Sequence, residues 1–396
     1  MTSSAQQIRT WRGPAVLSYG FRPLFLVAGV QAVLAMVLWL LLITGRIALP
    51  TGFDPVAWHA HEFLFGYLSA VAAGFLLTAV PNWTGRLPIV GWPLAWLAGL
   101  WLLGRLAVTF GAALPPGVVT VADLAFSVVF AAAIGREIVA GRNWRNLPVL
   151  GLLAVLVLAN LVFHIEAARG LPAASGFGAR TAVAVAVLMI TLIGGRIVPS
   201  FTRNWLARRG PGRLPAPPDR FDQVALALAA LALLAWIAVP EHGVAGLLCL
   251  AAGTAQIGRL ARWAGWRTGS KPLVWVLHAG FAFVPLGFLL VGASTLAPET
   301  WPRTGAQHAW MAGAVGVMTL AVMTRATRGH TGRPLAADRA TTAIYLLAIL
   351  AALLRIAAGF APGALWPLHG AAAAWIAAFG LFVAAYAPML LRRKPN

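Results

Sequence analysis

The sequence predicts an all-α, polytopic membrane helix bundle of about twelve transmembrane helices with both termini in the cytoplasm. Three observations carry that expectation. The 396 residues are 60% apolar and only 10% charged, with a mean hydropathy of +0.81. A water-soluble chain carries roughly 25% charged residues, so an aqueous surface of ordinary size is not covered here and the solvent is lipid. Twelve apolar runs reach the length of about 20 residues that a helix needs to cross hydrocarbon. The Lys and Arg residues alternate between the runs as the positive-inside rule demands.

The first run, 21–43, is too long for a signal-peptide core and lacks a small-residue cleavage motif, so it reads as a spanning helix. Pro50 punctuates the next loop, and the second run, 58–80, closes at Pro81. Pro88 precedes the third run at 91–110, and Pro115-Pro116 opens the fourth at 117–140. The fifth and sixth lie at 147–169 and 178–200. From Arg203 to Arg220 the chain is polar, with a Pro/Gly-rich centre. This stretch is too short for a domain. It divides a single transmembrane domain into two six-helix halves, 15–202 and 221–391, joined by a cytoplasmic loop at 203–220. Runs at 221–239, 243–263 and 272–292 follow, then Pro298 and a tenth run at 305–327. The eleventh, 340–360, stops before Pro362-Gly363, and the twelfth covers 365–390.

Charge fixes the expected orientation. With the amino terminus inside, Arg9, Arg12, Arg86, the cations of 136–145, 203–220, 259–271 and 325–339, and Arg392, Arg393 and Lys394 all fall on the cytoplasmic side. With Arg22 and Arg196 in the inner half, that accounts for 24 of the 30 Lys and Arg. The exceptions are Arg46, Arg105, Arg169, Arg180, Arg303 and Arg355. The net charge of +20 and pI of 11.9 are therefore matched to anionic headgroups and not to nucleic acid. The single cysteine, Cys249, excludes an intramolecular disulfide and any Cys-based zinc or iron–sulfur site.

Ionisable residues inside spans are costly in lipid and mark function. His59 and His61 open the second run, His164 lies near the outer end of the fifth, His308 opens the tenth and His369 the twelfth. These five of eight histidines share one slab, about 10 Å above the midplane at 1.5 Å per residue. His278 sits in the inner half of the ninth run, His330 at the cytoplasmic end of the tenth and His242 in an outer loop. A single intramembrane histidine is as well explained by a neutral ring bonded to a carbonyl. Several at one depth point to a metal, and without thiolates or acidic clusters that leaves histidine-ligated iron or copper.

Spacing refines the candidates. His59 and His61 stand about 200° apart on a helix, so both cannot face one metal unless His59 lies in a non-helical lead-in. Asn160 and His164 share a face, so Asn160 is placed to orient or line the site. Arg105, Arg180 and Arg355 lie at similar heights and suit planar carboxylates such as haem propionates. A simple pair of Arg105 with Asp123 explains that arginine equally well. Glu62 and Glu166 also lie in this half. His61 precedes Thr84-Gly85-Arg86 by 23 residues, and His308 precedes Thr331-Gly332-Arg333 by the same 23. We read the match as two helices of equal length ending in similar turns, with an internal repeat as the alternative.

Longer motifs carry a family resemblance. Leu17 to Pro23 (LSYGFRP), Trp58 to Tyr67 (WHAHEFLFGY), Gly74 to Val80, Asn82 to Gly85, Gly194 to Thr202 (GGRIVPSFT), Met323 to Arg325 and Gly329 to Leu335 resemble the NnrS family, over about residues 15–390. The resemblance implies a multi-pass protein of the bacterial inner membrane that carries haem, of b type, and copper, and that protects against nitric oxide. It implies His59, His61, His164, His278, His308 and His330 as the matching histidines; His242 and His369 belong to no motif. Three functions stay open: a redox enzyme acting on nitric oxide with quinol as electron donor, a carrier of haem, copper or a nitrosylated metal, and a sensor without turnover. Twelve helices with buried histidines also look like the haem–copper oxidase catalytic subunit, none of whose motifs is present.

Overall fold

The computed structural model describes residues 11–85 and 88–393, with Asn82 described in its backbone alone. Arg9, Arg86 and Lys394, counted above among the cytoplasmic cations, lie outside the described residues. The described chain is 79% helical without strands, and twelve helices are long and apolar enough to span a membrane. They are α1 (Phe21–Ile43), α2 (Pro55–Pro81), α3 (Trp92–Phe110), α4 (Pro116–Ala140), α5 (Trp144–Ala168), α6 (Ala173–Leu206), α7 (Arg220–Ala238), α8 (Gly243–Ala261), α9 (Pro272–Leu296), α10 (Arg303–His330), α11 (Arg339–Phe360) and α12 (Leu365–Leu391). The protein is thus a multi-pass membrane protein. Apolar side chains such as Leu34, Leu102, Val121, Leu158, Leu234 and Leu346 are exposed, as lipid-facing residues are.

Local chemistry sets the helix ends. Pro55 and Pro116 occupy first-turn positions, where the missing N–H has no intrahelical partner in any case. Asp54 caps α2 by accepting from the N–H groups of Val56 and Ala57, both at 2.9 Å. The second run therefore starts earlier than the expected residue 58, and His59 lies within the helix, not in a lead-in. The hydrophobic windows of α2, α6, α9 and α10 are 67–78% buried by protein, against 22–28% for α1, α4, α7 and α11. The first four are the interior helices, and three of them carry a wide-turn π segment: Glu62–Tyr67, Ile190–Gly194 and Ala309–Val315.

Those π segments fall in every fourth span, and other features recur with them. Short 3₁₀ turns stand before α1 at Ala15–Leu17, at the head of α5 at Trp144–Asn146, and before α9 at Gly265–Arg267. Ile134-Gly135-Arg136 in α4 recurs as Ile257-Gly258-Arg259 in α8. Each is followed by a non-glycine residue at positive φ (Arg142 at 50°, Ala264 at 54°) and then by Trp-Arg. Gly85 and Gly332, both at φ 69°, close the helices that carry His61 and His308, and Gly212-Arg213-Leu214-Pro215 repeats Gly85-Arg86-Leu87-Pro88 after α6. A third copy and the shared geometry of Gly85 and Gly332 weigh against the reading as two similar helices. The recurrence favours an internal repeat of four spans, although Gly212 at φ 140° does not share the geometry of Gly85 and Gly332.

Contacts divide the chain into two compact units. One comprises the described parts of Met1–Ala182 and Phe379–Asn396 with Ala326–Pro334; the other comprises Val183–Arg325 and Leu335–Ala378. The first division falls inside α6, not in the 203–220 linker. In the first unit, Arg22 donates to the carbonyls of Met389, Leu390 and Arg392 at 3.0–3.1 Å, satisfying acceptors at the end of α12 that the helix leaves without partners. In the second, Arg259 donates to the Thr191 carbonyl of the π segment at 3.1 Å and to Asp222 at 2.9 Å.

Candidate metal centre

In the first unit, four spans bring polar side chains to one level, where α2 and α4 begin and α3 and α5 end. Asp123 of α4 is the hub. Its Oδ2 lies 3.0 Å from His164 Nε2, 3.1 Å from His61 Nε2, and accepts from Asn160 Nδ2 at 2.7 Å. Asn160 Oδ1 stands 3.1 Å from His61 Nε2. The other oxygen of Asp123 accepts from Arg105, which also donates to Glu62 Oε1 at 2.5 Å; Gln31 of α1 donates to the second Glu62 oxygen. His61 and Glu62 are fully buried and Asp123 is 2% exposed.

The backbone makes room for this network. Gly66 lies in the π segment that follows His61, and a Cβ there would sit 2.8 Å from the Arg105 guanidinium. Gly104 lets α3 approach the Asp123 backbone to the same degree. The carbonyls that a π turn displaces are taken up locally: Trp101 Nε1 donates to the Gly66 carbonyl at 2.9 Å, and Ser69 donates to that of Phe65. Phe53, Phe65 and Phe163 pack on the His61 ring with centroids 5.1–5.4 Å away. The network is buried and walled by aromatics.

The donor atoms fit an ion. One atom each from His61, Asp123 and His164 all lie within 4.8 Å of one another. Two donors each ~2.1 Å from a single ion stand roughly 3.0–3.5 Å apart between right-angle and tetrahedral geometry, which is the spacing of both Nε2 atoms from Oδ2. His61 Nδ1 is buried without a hydrogen-bond partner, with Glu62 Oε1 the near carboxylate at 3.5 Å. That is the outer-shell arrangement of a metal-bound imidazole, in which a carboxylate faces the second ring nitrogen. A porphyrin does not fit between the two rings. Their centroids are 5.1 Å apart at 74°, with both Nε2 atoms directed at one carboxylate oxygen.

The remaining expected residues lie elsewhere. His59 stacks on Trp39 at 4.5 Å, so it and His61 address different neighbours, as their spacing requires. His330 packs edge-on against Tyr19 at 5.4 Å in the first unit. Arg180 donates to the Ser175 carbonyl, and Glu166 accepts from the Phe177 and Gly178 amides, closing the turn into α6. Arg105 is committed to Asp123 and Glu62, the paired alternative.

His278 and His308 belong to the second unit. Thr202 donates to the Val198 carbonyl and so accepts from His278 Nε2–H at 2.8 Å, which leaves the lone pair on the buried His278 Nδ1. His308 Nδ1–H donates to the Thr304 carbonyl at 2.6 Å, placing its lone pair on Nε2. Gly305, near it, packs against the Ile356 carbonyl of α11, beside Arg355, which forms no ion pair among the described residues. His242 caps α8 through the Val244 amide. Sequence reasoning treats Asp123 only as a partner for Arg105 and does not consider Gln31. An aspartate inside a span was itself the available signal.

A family model described as NnrS protein matches residues 15–394. No curated protein and no solved structure is matched.

Proposed function

The chain belongs to the NnrS family, and we propose that it is a bacterial inner-membrane protein that binds and reduces nitric oxide at a single copper ion held by His61, His164 and Asp123. The observation that carries the reading is the convergence of two imidazole Nε2 atoms on one buried carboxylate oxygen, at 3.0 and 3.1 Å. Charge supports it. With both imidazoles neutral, Asp123 and Glu62 outweigh Arg105 by one negative charge. A buried excess of that kind is costly without a compensating cation, and a cuprous ion supplies the missing charge.

The neighbouring residues have defined tasks. Arg105 holds the Asp123 oxygen that does not face the donors, fixing the carboxylate plane. Glu62 Oε1 faces His61 Nδ1 at 3.5 Å and would lie on the N–H side of that ring once Nε2 bound the ion. Asn160 Nδ2 donates to Asp123 and so holds that carboxylate, while its Oδ1 lies beside His61 and would accept from Nε2–H only while no ion is bound. The phenylalanine walls exclude bulk water. Bound in this set, copper supplies one-electron redox chemistry and an open position for a diatomic ligand. Cytoplasmic termini, as the arginines direct, put the centre in the outer half of the membrane.

Haem, the other group expected, fits a second location. The Thr304 contact fixes the His308 tautomer whose Nε2 carries the lone pair, so His308 would be able to hold the iron of a haem and Arg355, on the adjoining helix, would be placed to pair with one of its carboxylates. Quinol is the proposed electron donor. The test is metal and optical analysis of the purified protein. We expect about one copper per chain by the single donor set, a cupric EPR signal with imidazole nitrogen couplings, and quinol-dependent consumption of nitric oxide. Full copper retention in both His61→Ala and His164→Ala would end the metal assignment. Copper exchange across vesicles without nitric oxide consumption would replace the enzyme reading by the carrier reading.

A further inference from the structure

Beside His164 lies a cavity of about 100 Å³, lined by the 51–53 loop, the 111–116 turn and the ends of α3, α4 and α5. Water occupies ~30 Å³ in the liquid, so the space holds about three molecules of that size. Its walls are apolar: Phe53, Val108, Leu114, Pro116, Val119 and Ala168. The one hydroxyl, on Thr51, is spent on the Val108 carbonyl at 2.7 Å. His164 is the only ionisable residue lining the cavity, and its Nε2 faces Asp123. An anion entering here meets no lysine or arginine among the lining residues to offset its lost hydration.

Phe53 lines this cavity together with His164 and packs against both histidines of the proposed ligand set. Its ring lies 5.1 Å from that of His61 and 5.3 Å from that of His164. The loop that carries it is tied down: Ala112 N–H donates to the Pro50 carbonyl at 2.9 Å, and Asp54, the next residue, caps α2. Phe53 also packs in one apolar cluster with Trp58, Val108 and Val119. Residues flanking an N-cap in this way, before it and four after it, form the staple that fixes how a chain enters a helix. The ring is therefore a positioned wall and not a loose cover.

We infer that the cavity is the entry route by which a small uncharged molecule reaches the metal, and that Phe53 is the barrier which sets its rate and its size limit. The inference rests on the copper reading only for the destination. The route opens among the helix ends and their loops, not across the mid-membrane helix faces.

The test uses the full-length copper-loaded protein and carbon monoxide as the neutral probe of the cuprous form, followed by infrared spectroscopy after photolysis. Val119→Trp fills the cavity without touching a donor atom, and should slow carbon monoxide association roughly tenfold at unchanged copper content, since access limits an on-rate. Phe53→Ala should speed it several-fold, about the range over which association rates vary within one site. Wild-type rates in both copper-loaded variants would overturn the route. A separate arm needs no metal: xenon-129 NMR of the wild type should show a bound-xenon shift that Val119→Trp abolishes. Absence of that shift in the wild type overturns the cavity's role, whereas a xenon shift in a protein that takes up no copper would remove the copper reading and keep the route.

Discussion

Asn160 Oδ1 stands 3.1 Å from His61 Nε2 while the same amide donates to Asp123 Oδ2 at 2.7 Å. One side chain on α5 thus contacts a candidate ligand on α2 and a candidate ligand on α4. A neutral bridge of this kind makes the spacing between the two donors a property of three packed helices and not of flexible side chains. Pre-positioning of that sort is what a metal site needs for affinity, because little reorganisation remains when the ion arrives.

Asp123→Asn keeps the shape of the hub and removes its charge. Copper affinity should fall by about 100-fold or more, the upper range for disrupting a shell that orients metal ligands. Arg105 would keep only Glu62 as a partner, and breaking a buried ion pair costs about 3–5 kcal/mol, so thermal stability should drop as well. Competitive copper titration and a melting curve on the same sample report both. Unchanged copper affinity would remove Asp123 from the ligand set.

The proposed separation of copper and haem between His61 and His308 makes a crossed prediction. His61→Ala should lose copper and keep haem; His308→Ala should lose haem and keep copper. Arg355→Leu should weaken haem retention without abolishing it, because one propionate contact is a modest share of a cofactor's hold. Optical spectra and metal analysis of the three variants decide the matter. Loss of haem in His61→Ala with full haem in His308→Ala would exchange the roles given to these histidines.

Much of this was readable from the sequence, and the remainder was hidden for identifiable reasons. Run length and charge alternation located all twelve spans, since lipid enforces both. Depth along the chain put His61, His164, Asn160, Arg105 and Asp123 in one slab. Which helices meet was not readable, because lipid-facing and core-facing surfaces are equally apolar, and Asp123 on α4 or Asn160 and His164 on α5 mark an inward face without saying which helix it meets. His308 shares the expected depth of His61 and yet belongs to the other unit, because depth is one coordinate out of three. The π segments were invisible as well: a wide turn leaves no composition signature, and it shifts the angular register of every residue beyond it.

Acid should loosen the linker end of α7 before it reaches the membrane. Asp219 accepts two bonds from Arg262, one at 2.9 Å, and caps the helix through the Phe221 amide. Its bond to Arg262 first, then the backbone amides, draw its carboxyl down from 3.8 to about 2. A carboxyl depressed on folding stabilises fully above its unfolded value and loses that contribution as pH falls through the folded one. The window is therefore between about pH 4 and pH 2. Hydrogen exchange at the Phe221 and Asp222 amides should quicken relative to intrinsic rates across that window, and Asp219→Asn should show the faster exchange already at neutral pH. Equal protection in variant and wild type at pH 7 would show that the cap is not holding the helix end.

Two glycines provide the sharpest test of packing around the centre. Replacing glycine by alanine inside a helix ordinarily gains about 0.5–1 kcal/mol through backbone entropy. Gly99 of α3 meets nothing within 4 Å of an added Cβ, so Gly99→Ala should show that ordinary gain. At Gly66 the added methyl would stand 2.8 Å from Arg105 Nη1 and 3.3 Å from Glu62 Oε2. A free arginine would swing aside at little cost. Arg105 is held by two carboxylates at once, so Gly66→Ala should push it off Asp123, lower the melting temperature and reduce copper binding together. If Gly66→Ala behaves like Gly99→Ala, with raised stability and full copper, the arginine does not fix the Asp123 carboxylate.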